Sequence, residues 1–185
     1  MRIKPLSPEE MTPEQAEVWA GICGDRPSPA GPFNAWLASP ELARRAASLG
    51  AHVRLHTSLE PRLSELAILV TARHWNCQTE WSLHEPFARQ AGLDQEVIDA
   101  LNHKIVPQFS QDDEAVVYAF CRQALEQGQV EDAVFARCRD ALGQAGVTEL
   151  TVLIGYYCLV ALSLNVFRVP LPQGAEATLE GAEVY

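Results

Sequence analysis

The sequence predicts an all-α fold, and three observations support that prediction. Apolar residues recur at helical spacings, and helix-start signals that contain proline precede several of these runs. Glycine follows several of the runs, where it can end a helix. No segment shows a convincing strand pattern. We therefore expect a single-domain helical bundle of about seven to nine helices, with a weak internal helical repeat.

The first half of the chain carries the clearest helix starts. Thr12 is an N-cap residue, Pro13 stands at the first helical position, and Gln15 can complete a capping box. Ser39 and Pro40 repeat this arrangement before a run with helical periodicity. The predicted helices of this half cover residues 13–23, 32–39, 40–55 and a buried run from Pro61, with a loop over 24–32.

Glycine and one proline divide the second half. Asn76 offers a cap for a helix over 77–91, and Pro86 should kink or split that helix because proline removes a backbone donor. Gly128 and Gly143 each end a further helix. The remaining predicted helices cover residues 93–101, 112–127, 130–142 and an apolar run from Thr148 to just before Pro170.

The chain is predicted to form one domain with short flanks. Residues 1–12 read as a polar arm, residues 13–170 as the helical domain, and residues 171–185 as an extended tail with three acids. A length of 185 residues is enough for one sizeable core.

A weak internal repeat relates residues 64–70 to residues 148–154. Each segment begins with a hydroxyl residue, an acid and a leucine, followed by an apolar run. Glu149 is the counterpart of Glu65, but its helix offers no thiol and imidazole, so any second site is degenerate. Such a short match also arises easily between two unrelated buried helices.

Charge and cysteine usage limit the partners and the location. The formal net charge of −10 repels phosphates, so we expect no nucleic-acid binding and no attraction to an anionic membrane. The uncharged stretch 150–167 contains polar residues and lacks a basic flank, which favours a core or subunit-interface helix over a membrane span. Five cysteines without a C-x-x-C pair, and no visible signal peptide, predict a cytoplasmic protein.

The candidate site lies in the stretch 65–84. Cys77, Glu80 and His84 are spaced i, i+3 and i+7, so on a helix they share one face. Glu65 begins the preceding helix on an otherwise apolar face, where loss of water would raise the pKa of its carboxyl group. A carboxyl group with a pKa near neutrality beside a histidine can transfer protons. We expect His84 to act as acid or base, with Glu80 holding its ring in one tautomer.

The chemistry of Cys77 stays open at this point. Its place near a helix N-terminus favours the thiolate, because the helix dipole and the free amides stabilise negative charge. Glu80, one turn later, opposes the thiolate through like-charge repulsion. Since free cysteines are also common as inert core residues, the sequence does not decide between a reactive and a structural thiol.

A metal site is the alternative for the same strip. Four ligand-type residues form the pattern H-x₂-C-x₂-E-x₃-H, namely His74, Cys77, Glu80 and His84. His74 precedes the proposed helix break, however, and ligand types alone are weak evidence. We therefore predict no metal and no cofactor.

These spacings resemble the carboxymuconolactone decarboxylase family, which includes the AhpD-like alkylhydroperoxidases. In the peroxidase branch a glutamate is followed twelve residues later by a C-x-x-C pair, and a histidine stands four residues after the second cysteine. Glu65, Cys77 and His84 fall at those spacings, and Glu80 replaces the second cysteine. The decarboxylase branch has an E-W-x-x-H core, which residues 80–84 match. Further similar segments, at 31–32, 39–42 and 91–93, extend the resemblance over roughly residues 30–130.

The resemblance implies an AhpD-like bundle, a small-molecule substrate and a homo-oligomer such as a dimer, trimer or hexamer. It also implies a decarboxylase-like lyase, in which Glu65 and His84 transfer protons on a small carboxylated ring or lactone. The first alternative is a peroxiredoxin-type thiol oxidoreductase acting through Cys77, which is weaker because turnover needs a second vicinal thiol. The second alternative is a non-catalytic oligomeric family member.

Substrate-binding residues are expected around the motif. The candidates for pocket walls are Trp81, Phe33 and Trp36. A carboxylated substrate also needs a cation. The arginines near in sequence are Arg54, Arg62 and Arg73, of which Arg73 is included among the candidate binding residues. The sequence alone does not choose among the three.

Overall fold

The computed structural model describes residues 1–25 and 31–185. Those residues contain eight α-helices, a short 3₁₀ helix at Pro8–Glu10 and no strand, which confirms the all-α prediction. The helices are α1 (Pro13–Asp25), α2 (Phe33–Trp36), α3 (Pro40–Leu55), α4 (Pro61–His74), α5 (Gln78–Gln90), α6 (Gln95–Asn102), α7 (Asp112–Gln127) and α8 (Asp132–Phe167).

Several helix ends lie where local signals place them. The Thr12 amide donates to Gln15 Oε1 at 2.9 Å, and the Gln15 amide donates to Thr12 Oγ1 at 3.2 Å, so the predicted capping box forms. Helix α7 ends at Gly128, whose φ of +70° closes the last turn in the left-handed region. Helix α2 is shorter than predicted. Residues 26–30 of the predicted loop lie outside the described residues.

Helix α5 is not split at Pro86, so the predicted split was wrong. The helix continues from Gln78 to Gln90 with Pro86 inside it. Proline removes one backbone donor, but the turns on both sides are held by buried residues, including Trp81 and Ala88, which are fully buried. Tertiary packing therefore outweighs the local cost of the proline.

Helix α8 is interrupted at Gly143, where φ is 73° and ψ is 174°. The predicted break at Gly143 is therefore confirmed, but the predicted start at Thr148 was wrong because the helix resumes directly after the glycine. The Thr148 hydroxyl donates to the Gln144 carbonyl at 2.9 Å. That bond is typical of threonine inside a helix rather than of an N-cap.

Helix α4 is the central helix of the bundle. All residues from 62 to 73 are buried, and α4 packs against α5, α6, α7 and α8. At its N-terminal end, Arg62 bonds Asp113 at 2.8 Å and Glu114 at 2.5 Å on α7. Helices α1 and α3 pack together, and α3 also contacts α8. The candidate residues therefore lie where the buried helix α4 packs against α5.

Helix α3 approaches α8 closely at one glycine. A Cβ atom on Gly50 would lie 2.0 Å from the hydroxyl oxygen of Tyr156 and 2.4 Å from its Cζ. Both residues are buried. The absence of a side chain at position 50 is what allows the tyrosine ring to lie there.

Among the described residues, α8 is the helix that is long and apolar enough to cross a bilayer, a test that the core helix of a soluble protein also passes. Half of its most apolar 18-residue window is buried inside the protein. Beyond the interruption at Gly143, the large exposed apolar residues of this helix are Val152, Leu159, Leu162 and Val166.

The C-terminal tail, residues 171–185, contains no helix and is held against α4 and α5 by hydrogen bonds. The Leu179 amide donates to Gln78 Oε1 at 3.1 Å, and Arg73 donates to the Glu180 carbonyl at 2.8 Å. The Ser82 hydroxyl donates to the Glu176 carbonyl at 2.7 Å. The tail therefore packs along the face of α5 that carries Gln78 and Ser82, while Cys77, Glu80 and His84 belong to another face of the same helix.

Candidate functional site

The contact between α4 and α5 brings Glu65, Glu80 and His84 together. His84 Nδ1 lies 2.7 Å from Glu65 Oε2, and His84 Nε2 lies 3.3 Å from Glu80 Oε1. All three side chains are buried. One imidazole is thus held between two carboxylates, one from each helix.

The two carboxylates determine the charge of His84. Burial alone would lower the pKa of this histidine, but the Glu65 charge and hydrogen bond, together with those of Glu80, outweigh burial and raise the pKa to about 9. His84 is therefore an imidazolium at neutral pH, with a proton on each ring nitrogen. This corrects the expectation that Glu80 selects one neutral tautomer, because Glu65 is the closer partner and both nitrogens donate.

Cys77 is the N-cap residue of α5 and is completely buried. Burial raises the pKa of its thiol to about 12, and the Glu80 charge adds to the rise, while backbone amides of α5 oppose it more weakly. Desolvation and the like charge of Glu80 therefore raise the pKa of Cys77 more than the helix N-terminus lowers it. The thiol is protonated at neutral pH, and a protonated thiol is a poor nucleophile.

Two aromatic residues adjoin His84 that the sequence did not point to. The Tyr157 ring of α8 stands edge-on to the imidazole, with ring centroids 5.1 Å apart. Burial, with Glu80 next, raises the pKa of Tyr157 well above its ordinary value, so its hydroxyl stays protonated. The Phe87 ring centroid lies 6.1 Å from that of His84, and Phe87 is 44% exposed. Phe87 thus connects the buried imidazole to the protein surface.

The structure distinguishes the three candidate arginines. Arg62 is bound to Asp113 and Glu114 in the ion pairs described above. Arg73 donates to the Asn102 carbonyl at 3.1 Å and to the tail, and it lines a cavity that contains none of Glu65, Glu80 and His84. The Arg54 guanidinium lies over the Phe87 ring, 4.8 Å from its centroid, and its charge acts on Tyr157. Arg54 has no carboxylate partner within residues 1–25 and 31–185.

The predicted aromatic walls occupy different places. Trp81 is fully buried in the core, directly beside Glu80 in sequence. Trp36 donates from Nε1 to Ser163 Oγ at 3.0 Å and packs edge-on against Phe33, with ring centroids 5.5 Å apart. Trp36 therefore joins α2 to α8, with Phe33 packed against it, whereas Tyr157 and Phe87 are the ring neighbours of His84.

The metal pattern does not assemble in the described part of the chain. His74 lies at the end of α4 and packs edge-on against Trp75, with ring centroids 5.8 Å apart. No group of three histidine, cysteine, aspartate or glutamate side chains has a metal-binding arrangement among residues 1–25 and 31–185.

Glu149, the counterpart of Glu65 in the weak repeat, has a structural role. Its Oε2 accepts from the Ser58 amide at 2.8 Å and from the Ser58 hydroxyl at 2.6 Å. This contact fixes the loop between α3 and α4 to α8. Glu149 therefore has a partner unlike that of Glu65.

Comparison with known proteins places these residues in a family segment. Residues 40–120 match the Carboxymuconolactone decarboxylase family, which confirms the resemblance over the part that holds Glu65, Cys77, Glu80 and His84. No curated protein sequence matches the chain.

Solved structures share the fold. The apo form of the debrominase Bmp8 has a TM-score of 0.75 and 13% identity, with 96% of each chain covered. A cysteine-to-alanine variant of Bmp8 in complex with 2,3,4-tribromopyrrole has a TM-score of 0.76 and 13% identity, covering 99% of this chain and 98% of that chain. A protein of unknown function from Agrobacterium tumefaciens, proposed as the antioxidant defence protein AhpD, has a TM-score of 0.66 and 21% identity, covering 77% of this chain and 98% of that chain.

Proposed function

Since residues 40–120 match the Carboxymuconolactone decarboxylase family, we propose that the protein is a decarboxylase-like lyase acting on a small carboxylated ring or lactone. The observation that carries the proposal is the buried His84, held between Glu65 at 2.7 Å and Glu80 at 3.3 Å. A charged imidazole in a water-poor site is suited to stabilise a developing anion and then to protonate it.

The hydrogen bond of His84 to Glu65 and its longer ion pair with Glu80 suggest which proton is delivered. The bond from Nδ1 to Glu65 is short, while Nε2 lies farther from Glu80. The proton on Nε2 is therefore the easier one to redirect to a substrate, and Glu65 stays on Nδ1 to orient the ring. Glu65 is a positioning residue in this scheme and His84 is the acid.

The reaction balances without a cofactor. The bond between the substrate carboxylate and the ring carbon breaks, carbon dioxide leaves, and the electron pair passes into a conjugated carbonyl group as an enolate. His84 then transfers its Nε2 proton to the ring carbon, which restores the carbonyl group. A proton from water returns to His84 and completes the cycle.

Glu80 offers a further polar contact. Its Oε1 faces His84, whereas its Oε2 is buried without a hydrogen-bond partner in the described part of the chain. A buried carboxylate oxygen without a donor is uncommon in folded proteins. We assign this oxygen the role of accepting a hydrogen bond from the substrate or from the water that returns the proton.

Arg54 is the proposed binding residue for the second anionic group of the substrate, its carboxylate or its lactone oxygens. It lies beside Phe87, next to the His84 ring, and no described carboxylate neutralises it. A ring substrate could stack on Phe87 while the guanidinium binds its oxygens in a bidentate manner.

A thiol oxidoreductase is the less supported alternative. It needs a thiolate at Cys77, but the thiol is buried and its pKa is about 12. The motif also has Glu80 where the peroxidase branch has its second cysteine. The likeness to the Agrobacterium protein concerns the fold alone, so it does not favour the thiol chemistry.

Turnover of carboxylated lactones in deuterated water tests the proposal. The expected result is release of carbon dioxide and uptake of one deuterium at the carbon that lost the carboxylate. His84→Gln should abolish both signals, whereas Glu149→Gln should retain them. Turnover that survives in His84→Gln would reject the proposed role of His84. If turnover also vanishes in Cys77→Ser, the thiol would be the reacting group instead.

We also propose a homo-oligomer that forms through α8. Its exposed apolar residues Val152, Leu159, Leu162 and Val166 are spaced by seven, three and four residues, the pattern of a helix seam. A second copy of the same helix would cover this uncharged seam without bringing like charges together. Sedimentation of Leu159→Glu with Leu162→Glu should show a smaller species than the wild type, and an unchanged species would contradict the proposal.

A further inference from the structure

A cavity that His84 does not line lies between the C-terminal end of α4, the end of α6 and α7. Its volume is about 310 Å³, at the lower end of the range for small-molecule sites. Apolar side chains, including Val70 and Leu101, line part of it, and Arg73, His74, Lys104 and Arg122 line another part. We infer that this cavity binds an amphiphilic carboxylate, with its anionic group on the cations and its apolar body on the apolar side chains.

The concentration of cations is unusual for this chain. The sequence holds 24 acidic residues against 14 lysines and arginines, and only two lysines in all. Three of those 14 cations line this one cavity, together with His74 and a single carboxylate, Glu126. Arg122 already binds Glu126, at 3.0 and 2.9 Å. The remaining cations therefore leave the cavity with a positive potential in an acidic protein, which selects an anion.

Arg73 is a buried cation that forms no ion pair among the described residues, although the Glu180 charge acts to raise its pKa. The residue is 8% exposed, and within the described part of the chain its guanidinium donates to the Asn102 and Glu180 carbonyl oxygens and to Asn76. Its Nε has no hydrogen-bond partner in the described part of the chain. Burial of an unpaired charge is costly, so an anion bound nearby would be stabilised.

Lys104 occupies a position that favours glycine. Its φ is +58°, and the Ile105 amide donates to the Ala100 carbonyl at 2.8 Å, which closes α6 with a left-handed residue. A lysine in this conformation is strained relative to glycine, because its Cβ approaches the backbone. Its side chain has no carboxylate partner among the described residues, and it lines the cavity. Anion binding gives a reason for lysine at this position.

The exposed apolar residues of the cavity indicate that the ligand also has an apolar part. Ile105 and Val106 line the cavity and are 61% and 57% exposed. Exposed apolar side chains beside cations suit a ligand that has both a charged head and a hydrocarbon body. A short-chain fatty carboxylate such as octanoate has that chemistry, and octanol is its uncharged match.

Calorimetric titration with octanoate and octanol tests the inference. Octanoate should bind at least about tenfold more tightly than octanol, since a hydrogen bond to a charged group contributes about 1.5–3 kcal/mol. Lys104→Gly suits the backbone at position 104 and should weaken octanoate by about tenfold, while Lys104→Arg retains it. Lys4→Ala is the matched control, because Lys4 pairs with Glu10 on the surface and should not change the affinity.

The titration also separates this cavity from the candidate active site. His84→Gln should bind octanoate as the wild type does, because His84 does not line the cavity. Equal affinity for octanol and octanoate, no binding of octanoate, or an affinity that falls in His84→Gln but not in Lys104→Gly would each overturn the inference.

Discussion

Glu65 of α4 and His84 of α5 are joined by a 2.7 Å hydrogen bond, so the main contact of the candidate site crosses between two buried helices. Nineteen residues separate the two side chains along the chain. Their partnership makes the charge of the imidazole depend on how α4 and α5 pack.

Replacing Glu65 by glutamine tests that dependence. We expect Glu65→Gln to lower the pKa of His84 by about 1–3 units, because the opposite charge closest to the imidazole is lost. The pKa can be measured by NMR titration of the ring protons. Glu149→Gln, which removes a carboxylate that binds Ser58, is the control and should leave the pKa unchanged. If the pKa of His84 is the same in Glu65→Gln and in the wild type, Glu65 does not determine the charge of His84.

Stability should depend on pH through His84. Its pKa rises from 6.5 in the unfolded chain to about 9 in the folded protein, so the protonated form stabilises the fold. The contribution is complete below pH 6.5 and is lost as the pH rises through 9, and it amounts to about 3 kcal/mol. Urea unfolding at several pH values should show this decline. If the free energy of unfolding of His84→Gln declines by the same amount between pH 6.5 and 9, another group is responsible.

Thiol reactivity should distinguish the cysteines. Because Cys77 is buried and its pKa is about 12, native protein should alkylate at the exposed Cys23 long before Cys77. Mass spectrometry after iodoacetamide treatment measures the order. Cys77→Ser should keep the turnover of a carboxylated lactone. Selective sulfenic acid at Cys77 after mild peroxide treatment would instead favour the thiol oxidoreductase.

Arg54 should affect substrate binding more than the chemical step. We expect Arg54→Gln to raise KM by about 10–100-fold, with a smaller effect on kcat, since it removes a charge-assisted contact to the substrate carboxylate. Arg45→Gln is a matched control on the same helix, because Arg45 pairs with Glu41 on the surface. Similar KM values in the two variants would exclude Arg54 as the binding cation.

Local signals explain how much of the fold could be predicted from the sequence. The start of α1 follows from Thr12 and Gln15, whose side chains cap their own helix, and the end of α7 follows from Gly128. These contacts lie within a few residues, so no tertiary information is needed. The split predicted at Pro86 was wrong because buried neighbours offset the cost of a proline inside the helix. A local sequence pattern does not show those neighbours.

The candidate site was predictable only in part for the same reason. Glu80 and His84 share a helix face, which periodicity reveals, and the acid Glu65 was found through its apolar helix. Tyr157 lies 73 residues beyond His84 in an apolar run, where no spacing rule connects the two. The choice of Arg54 required knowledge of the partners of the other two arginines. Carboxylates of α7 bind Arg62, and carbonyl oxygens of Asn102 and Glu180 bind Arg73, and these partners are distant in sequence.

The tight approach of Gly50 to Tyr156 has an evolutionary consequence. Any larger residue at position 50 would occupy the space of the tyrosine ring, with atoms only 2.0 Å apart. A related sequence that carries a side chain there must therefore also have a smaller residue at position 156. We expect these two positions to covary among relatives of this protein, and a glycine that persists beside an aromatic residue would mark those relatives in which α3 lies equally close to α8.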